Sequence, residues 1–299
     1  MKPLSRSLVR HAHAIAREVG ARVILLHADV LEQADDLPAM MEDVAFRVIL
    51  ASKKPDFRAP DGWDEMCKVV RVPDVSMTRS GLIKVATLVA SAERLIQAGD
   101  RIVSLAGLDG SGAIDTIVVF DLGAERELIS DQSTDPLPGD VQPAVFERLL
   151  ILASELGVEG REGRPVGTLF ILGDTDGVLA QSRQLVINPF HGYPEDERNV
   201  LDPALEETIK EFSAIDGAFI IRGDGVILAA GRYLASTSIR VEPLPQGLGA
   251  RHEAAAGITA TTQAVAISVS QSTGTVSVFR RGRLLADIQK PRNQRSDEL

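Results

Sequence analysis

The sequence DGAFIIRGDGVILAA at positions 216–230 decides the fold of the second half of the chain. It contains two short apolar runs, 218–221 and 226–230, separated by the turn Arg222-Gly223-Asp224-Gly225. Short apolar runs joined by a tight, glycine-containing turn predict a β-hairpin. An amphipathic segment at 201–214 predicts a helix that leads into this hairpin.

Further elements of the second half are predicted on either side of this hairpin. The pattern predicts a helix at 143–156 and buried strands at 167–172, 264–270 and 275–279. The last two strands are joined by Gln271-Ser272-Thr273-Gly274, which predicts a second hairpin. Helices and strands are therefore mixed throughout this half, which is expected to form one α/β domain.

The first half alternates helix and strand more regularly. Helices are predicted at 5–19 and 80–98, and the predicted strands are 22–27, 46–51, 67–72, 101–105 and 116–120. Such alternation predicts an α/β layered domain with a largely parallel sheet. The expected organisation is an N-terminal domain at 1–125, a linker at 126–142, a second domain at 143–290 and a disordered tail at 291–299.

The composition restricts the environments and partners that suit the chain. The 299 residues carry a formal net charge of −10, which argues against non-specific DNA binding, because that requires a basic surface. Cys67 is the single cysteine, so an intramolecular disulfide and a CxxC metal site are both excluded. No apolar run approaches the roughly 18 residues of a membrane helix, and positions 1–20 lack the pattern of a signal peptide. We expect a cytoplasmic protein with neither a membrane nor a DNA partner.

Three short segments of the second half carry side chains suited to a polyphosphate and a cation. Asp216 offers oxygen ligands to Mg²⁺ or Mn²⁺. Gly249 precedes a predicted helix start, where free N–H groups attract anions, and Arg251 offers a fork of donors that suits phosphate. His252 can ligate a divalent ion, and Ser270 can donate a hydroxyl. Each segment alone also fits a purely structural explanation, as a turn, a surface charge pair or a strand end.

Together, these segments resemble the diadenylate cyclase domain, the catalytic module of the DNA-integrity-scanning protein and related cyclic di-AMP synthases. That family carries Asp-Gly-Ala, then Arg-His-Arg, then a strand that ends in Val-Ser. This chain has, in the same order, Asp216-Gly217-Ala218, Arg251-His252-Glu253 and Val269-Ser270. The segment PVGTLFILGD at 165–174 is similar to the family's opening strand, and the resemblance covers 145–288.

The resemblance implies a nucleotidyltransferase whose second domain is an α/β fold with a mixed sheet flanked by helices. It implies that two ATP molecules are condensed into cyclic di-AMP and two pyrophosphates, as each 3′-hydroxyl attacks the α-phosphate of the other nucleotide. Mn²⁺ or Mg²⁺ would assist this attack. Since one domain binds one ATP, the resemblance also implies a homodimer for catalysis, and the N-terminal domain could build a higher homo-oligomer.

The same resemblance assigns roles to individual residues. The implied catalytic residues are Asp216, Arg251 and His252, of which Asp216 and His252 would be the metal ligands. The implied substrate-binding residues are Gly217, Ala218, Tyr233, Leu234, Gly249, Ala250, Arg251, Glu253 and Ser270. Tyr233 or Leu234 would lie near the adenine.

Two positions depart from the family's pattern. Ala250 stands where a hydroxyl residue is usual, and Glu253 replaces a second arginine with a charge that would repel a triphosphate unless the side chain turns away or joins the metal. The residues that could compensate are Arg222, Arg232 and Arg240. These departures leave open a second hypothesis, a non-catalytic module that senses ATP or cyclic di-AMP.

The first half carries the glycine-rich segment Gly107-Leu108-Asp109-Gly110-Ser111-Gly112 between two predicted strands. Such a loop can cradle phosphate or serve as a plain tight connection, and it lacks the Lys-Ser/Thr of a Walker-A loop. Over 8–120 the chain resembles the C-terminal domain of pyruvate kinase. That resemblance implies a regulatory or oligomerising role and no kinase activity.

Overall fold

A computed structural model of the protein describes residues 2–30, 37, 46–63, 66–108, 110–124, 137–235 and 248–289. Within that part of the chain there are two β-sheets, one of five strands in the first half and one of seven in the second. None of the helices formed by these residues is long and apolar enough to cross a lipid bilayer. The predicted tail, most of the predicted linker and Arg240 lie outside the described residues.

The first half is a mostly parallel sheet between two helices. Its elements are α1 (Pro3–Glu18), β1 (Val23–His27), β2 (Arg47–Ser52), β3 (Cys67–Arg71), α2 (Arg79–Ala92), β4 (Arg101–Ala106) and β5 (Thr116–Asp121). The strands pair in the order β3-β2-β1-β4-β5, and the β4–β5 pair alone is antiparallel. All of β1 is buried, because α1 covers one face of the sheet and α2 the other. The predicted largely parallel sheet is confirmed.

The second half is a mixed sheet with helices on both faces, as expected. Its elements are α3 (Pro143–Glu159), β6 (Leu169–Leu172), α4 (Thr175–Ala180), β7 (Ser182–Gln184), α5 (Glu206–Phe212), β8 (Ala218–Ile221), β9 (Ile227–Leu234), α6 (Ala250–Thr261), β10 (Val265–Val269), β11 (Val276–Arg280) and β12 (Arg283–Ile288). The strand order is β12-β11-β10-β6-β8-β9-β7, in which β6 and β8 are parallel and the other neighbours antiparallel. The apolar side of α3 packs on one face and that of α6 on the other.

Two predicted helices are shorter in the structure. α2 ends at Ala92, because Arg94 adopts a left-handed backbone with φ of 58°. In the helix predicted at 201–214, Pro203–Leu205 forms a 3-10 turn capped by Asp202, and only α5 is α-helical. The pattern does not predict β7 at all, since its three residues are polar.

The two halves pack against each other through α2. This helix contacts both β12 and α3, and one apolar core runs from the first sheet through α2 into the second half. Lys84 on α2 donates a hydrogen bond from Nζ to the carbonyl oxygen of Asp287 on β12, at 3.0 Å. At the end of the predicted linker, Leu137 and Val141 are buried. The domain boundaries themselves stay a prediction.

Candidate active site

A cleft of about 590 Å³ opens at one edge of the second sheet. The approaches to β6 and β8, the ends of β9 and β10 and the first turn of α6 meet there. Nearly every residue implied for the site lies in its lining: Asp216, Gly217, Ala218, Tyr233, Leu234, Gly249, Ala250, Arg251, His252 and Ser270. Side chains that are far apart in the sequence therefore converge on one space large enough for a nucleotide.

The Asp-Gly-Ala segment has a specific backbone geometry. Gly217 has φ of 109°, which is unfavourable for any residue with a side chain. A Cβ atom at this position would lie 2.6 Å from the backbone nitrogen of Arg232 on β9. Glycine thus allows β8 and β9 to approach closely, and it leaves Asp216 at the mouth of the cleft with 90% of its side chain exposed.

The first turn of α6 supplies backbone donors. Gly249 is the N-cap residue and has no side chain to occupy the free N–H groups of the first turn. The first hydrogen bonds to its carbonyl come from the N–H groups of His252 and Glu253, at 2.9 and 3.3 Å. A Cβ atom at Gly249 would meet nothing within 4 Å, so the approach to the helix end is open. A helix end of this kind, on a 12-residue helix, favours an anion.

Arg251 joins the two motifs. Its Nη2 lies 3.5 Å from Oδ1 of Asp216, and its side chain is 34% exposed. A Cβ atom at Gly167 would lie 2.8 Å from Nη1 of Arg251, so a glycine at this position makes room for the guanidinium. The weak pairing with an exposed carboxylate leaves the arginine available to a more highly charged anion.

His252 lies beneath the cleft surface. The residue is only 5% exposed, and its ring packs edge-on against Phe279 with centroids 6.0 Å apart. Both ring nitrogens are buried and have no hydrogen-bond partner among the described residues. Burial lowers the pKa of His252, although the nearby Asp287 carboxylate opposes this. The imidazole is therefore neutral at pH 7, which is the protonation state that ligates cations.

The remaining implied residues differ in their exposure and in whether they line the cleft. Ser270 follows β10, and its hydroxyl oxygen lies 3.2 Å from that of Ser272. Tyr233 is half-exposed, and the guanidinium of Arg183 sits 4.9 Å from its ring centre. Leu234 is buried at the cleft wall. Glu253 is exposed and, although it belongs to the first turn of α6, it does not line the cleft as the other implied residues do.

Comparison of the sequence with known proteins finds a family for the half of the chain that contains this cleft. The family model described as "DisA bacterial checkpoint controller nucleotide-binding" matches residues 155–284. The diadenylate cyclase of Haloferax volcanii is 35% identical over 233 residues, which are 77% of this chain and 83% of that protein. This chain belongs to the diadenylate cyclase family. Members of this family are nucleotidyltransferases.

Other relatives of this diadenylate cyclase family member are matched over shorter shares of their length. The diadenylate cyclase of Methanocaldococcus jannaschii is 38% identical over 202 residues, 67% of this chain and 63% of that protein, so less than two thirds of it is spanned. The diadenylate cyclase of Listeria monocytogenes is 39% identical over 75 residues, 25% of this chain and 26% of that protein. A second family model, described as "Probable sensor domain DacZ_P", matches residues 4–129.

Two solved structures are similar to parts of this diadenylate cyclase family member. The match to DacA from Staphylococcus aureus covers 47% of this chain and 83% of the DacA chain, with 21% identity and a TM-score of 0.33. The match to a pyruvate kinase from Cryptosporidium parvum covers 40% of this chain and 23% of the pyruvate kinase chain, with 15% identity and a TM-score of 0.31. Since both TM-scores are below 0.5, neither likeness decides anything about the fold, and the resemblance of the first half to pyruvate kinase stays a prediction.

The structure describes two of the three arginines named as possible compensation for Glu253 in this diadenylate cyclase family member, Arg222 and Arg232, and of these Arg232 reaches the cleft. Arg232 lines it and donates to the Ser182 hydroxyl at 2.8 Å and to the Ser182 carbonyl at 2.8 Å, which ties β9 to β7. Arg222 pairs instead with Glu195 and Asp224. Arg232 pairs with Ala218 across the hairpin, so extending the predicted hairpin would have placed it beside the Asp-Gly-Ala segment.

Proposed function

We propose that this chain condenses two molecules of ATP into cyclic di-AMP and releases two pyrophosphates. One observation carries the proposal: an exposed carboxylate (Asp216), a guanidinium (Arg251) and the open N-terminus of α6 line a single cleft of about 590 Å³. In each transfer, the 3′-hydroxyl oxygen of one ATP bonds to the α-phosphorus of another, and the bond to the pyrophosphate leaving group breaks. Such chemistry depends on positioning and charge neutralisation more than on covalent catalysis.

The phosphates are assigned to the positive end of the cleft. Arg251 can offer two parallel N–H donors, and the first N–H groups of α6 add backbone donors without a competing side chain at Gly249. Ser270, at the end of β10, offers its hydroxyl to the terminal phosphates. Glu253 lies outside the lining, so it does not oppose the phosphates at short range.

The carboxylate is assigned to the cation and the attacking hydroxyl. A carboxylate that is 90% exposed suits Mn²⁺ or Mg²⁺, which prefer oxygen ligands, and Asp216 would hold the ion. A bound divalent ion would neutralise developing charge and make the hydroxyl more acidic. His252 is proposed as a second ligand. Because both of its nitrogens are covered, the ring has to turn toward the cleft when substrate binds. Unchanged Mn²⁺ affinity in His252→Gln, measured in the presence of a non-hydrolysable ATP analogue, would remove it from the ligand set.

The nucleoside is assigned to the other end of the cleft. Gly217 and Ala218 present almost no side chain, so the ribose can lie close to the backbone before β8. Tyr233 offers a half-exposed ring and Leu234 an apolar wall for the adenine. Because the volume of the cleft suits one nucleotide, the second ATP has to come from a second subunit that faces the first. We therefore propose a homodimer for catalysis, with the first half available to build higher homo-oligomers.

The decisive experiment is incubation of the full chain with ATP and either Mn²⁺ or Mg²⁺. We expect cyclic di-AMP and pyrophosphate in a 1:2 ratio, detected by mass spectrometry and a phosphate assay after pyrophosphatase treatment. ATP binding without either product would instead support a non-catalytic sensing module. The position of Glu253 outside the lining weakens that alternative, because Glu253 is one of the two departures, with Ala250, on which the alternative depends.

A further inference from the structure

A row of polar side chains crosses the second sheet beneath the first turn of α6. Ser268 on β10 lies directly opposite Ser277 on β11, and Ser277 lies directly opposite Asp287 on β12. Both serines are fully buried. Directly opposite residues share a face of the sheet, and so do residues two apart on a strand, so this polar row lies on the face of Phe279, which packs against α6.

The ring of His252 lies over the same part of the sheet. It packs against Phe279, which is two residues from Ser277 on β11, with ring centroids 6.0 Å apart. The start of β11 pairs with the end of β10, next to Ser270 in the cleft lining, and the first turn of α6 lines that cleft as well. His252 and the polar row are therefore together at the cleft end of these strands. The charge of Asp287 also acts on the imidazole.

The polar atoms gathered here are buried without partners. Both ring nitrogens of His252, the hydroxyl oxygens of Ser268 and Ser277 and Oδ1 of Asp287 have no hydrogen-bond partner within the described part of the chain. Each buried polar atom that stays unpaired is destabilising. The groups are complementary, because a neutral imidazole donates through one nitrogen, a hydroxyl both donates and accepts, and a carboxylate accepts.

We propose that Ser277 and Asp287 form a hydrogen-bond relay that positions the ring of His252. In this relay the ring N–H and the Ser268 hydroxyl donate to the hydroxyl oxygen of Ser277, and the Ser277 hydroxyl donates to Oδ1 of Asp287. Rotation of the ring and of two hydroxyls is enough to close it. The second ring nitrogen then keeps its lone pair for the cleft, as in histidines that hold a cation. The use of that nitrogen in catalysis rests on the proposed function.

The carboxylate at the end of the relay is held in place by its surroundings. The carbonyl oxygen of Asp287 accepts a hydrogen bond from Nζ of Lys84 on α2 at 3.0 Å. Its Oδ2 accepts one from the side chain of Gln289 at 3.2 Å, whereas Oδ1 is the buried oxygen that the relay uses. Contact between the two halves of the chain therefore helps to fix the acceptor on which the orientation of His252 depends.

Imidazole ¹⁵N NMR of the full chain, without ligand, tests the relay without turnover. His252→Gln identifies the signal among the five histidines. We expect one neutral tautomer to predominate, and Ser277→Ala should change the tautomer ratio about 2- to 10-fold, the effect of one lost hydrogen bond. Asp287→Asn, a second variant in case Ser277→Ala does not fold, should change the ratio in the same direction. Ser277→Thr keeps the hydroxyl and should keep the parent ratio.

The matched control is Ser154→Ala. Ser154 is also buried with an unpaired hydroxyl among the described residues, but it lies on α3, which packs on the opposite face of the sheet. This change should leave the His252 signal as it is in the parent. An equal change of the ratio in Ser154→Ala would overturn the relay, because the effect would then come from general loosening of the core.

Kinetics separates positioning of the ring from binding of the substrate. Ser277→Ala should lower kcat about 10- to 100-fold and leave KM for ATP near the parent value, because the phosphate donors of the cleft are untouched. An unchanged tautomer ratio in folded Ser277→Ala and Asp287→Asn proteins overturns the relay. If the chain makes no cyclic di-AMP but Ser277→Ala still changes the ratio, the proposed function fails and the relay is supported.

Discussion

Arginines line two clefts in different surroundings. Arg251 lines the cleft on the second sheet, called the cyclase cleft, and Arg22 and Arg47 line a cleft at the start of β1 and β2, called the arginine cleft. In the cyclase cleft, Arg251 lies 3.5 Å from Asp216, whose carboxylate is 90% exposed and can accept a cation. In the arginine cleft, the carboxylate of Asp100 is buried and already hydrogen-bonded. The first arrangement offers a carboxylate to a cation and a guanidinium to an anion, whereas Asp100 is already engaged in its own hydrogen bonds. The availability of a carboxylate therefore distinguishes a cleft suited to cation-assisted chemistry from one that is not.

The largest effect is expected from removing the available carboxylate. Asp216→Asn keeps the shape of the residue but loses the charge that would hold the cation. A bound metal contributes several kcal/mol to the transition state, so cyclic di-AMP synthesis should fall by about a thousandfold or more. Product formation over time, measured by mass spectrometry, checks this.

Thermal unfolding of Asp216→Asn should match that of the parent, because the side chain is 90% exposed and makes one weak pairing. Full activity in a folded Asp216→Asn protein would refute the site and the contrast between the two clefts.

The boundary between the two halves should respond to pH through Glu147. Burial on α3, with Glu93 nearby, raises the pKa of Glu147 from 4.5 to about 7, while Arg71 partly opposes the shift. The folded chain therefore favours the neutral acid. The free energy of unfolding is unaffected by this group below about pH 4.5, decreases as the pH rises from about 4.5 to about 7, and is constant above that, with a total loss of about 3 kcal/mol.

Glu147→Gln should remove this pH-dependent decrease in the free energy of unfolding. Urea unfolding at pH 8 is expected to show a variant more stable by up to about 3 kcal/mol, with the two proteins converging near pH 4. Glu197→Gln, at an exposed position of the same half, is the matched control. If the free energy of unfolding of Glu147→Gln and of the parent changed in parallel with pH, the Glu147 carboxyl would not be buried between the two halves.

A smaller effect is expected from removing the guanidinium of the cyclase cleft. Charge-assisted hydrogen bonds contribute about 1.5–3 kcal/mol, so Arg251→Gln should lower kcat/KM about 10- to 100-fold. Arg22→Gln should leave kcat/KM near the parent value, because Arg22 lines a cleft on the first sheet and not the cyclase cleft. Equal losses in the two variants would contradict the division of roles between the clefts.

The smallest effect is expected at Glu253. The residue is exposed and lies outside the cleft lining, so Glu253→Gln should leave kcat/KM nearly unchanged. Because an acid in the first turn of α6 favours the helix dipole, the same change should cost about 0.5 kcal/mol in urea unfolding. A large gain in activity would show that the charge does act on the substrate.

The spacing of apolar residues along the sequence was sufficient to predict most of the helices and strands. The apolar runs at β1, β2, β4 and β8 are buried over their whole length or nearly so, and continuous apolar sequence of this kind identifies a strand covered on both faces. The pattern could not identify β7, whose residues are polar because it lies at an edge of the sheet. Nor could it identify the early end of α2, which depends on the left-handed turn at Arg94.

The sequence by itself predicted which residues meet in the cyclase cleft, because Asp216, Arg251 and Ser270 belong to motifs whose order and residue types are specific. Only the tertiary structure decided which way each side chain faces. His252 and Glu253 are neighbours in the sequence, yet the first is buried against Phe279 and the second is in solvent. Successive residues of a helix point in directions about 100° apart, so packing of α6 on the sheet determines which of them is covered. The sequence also could not predict the arginine cleft, because only the pairing of β1 with β2 brings Arg47 beside Arg22.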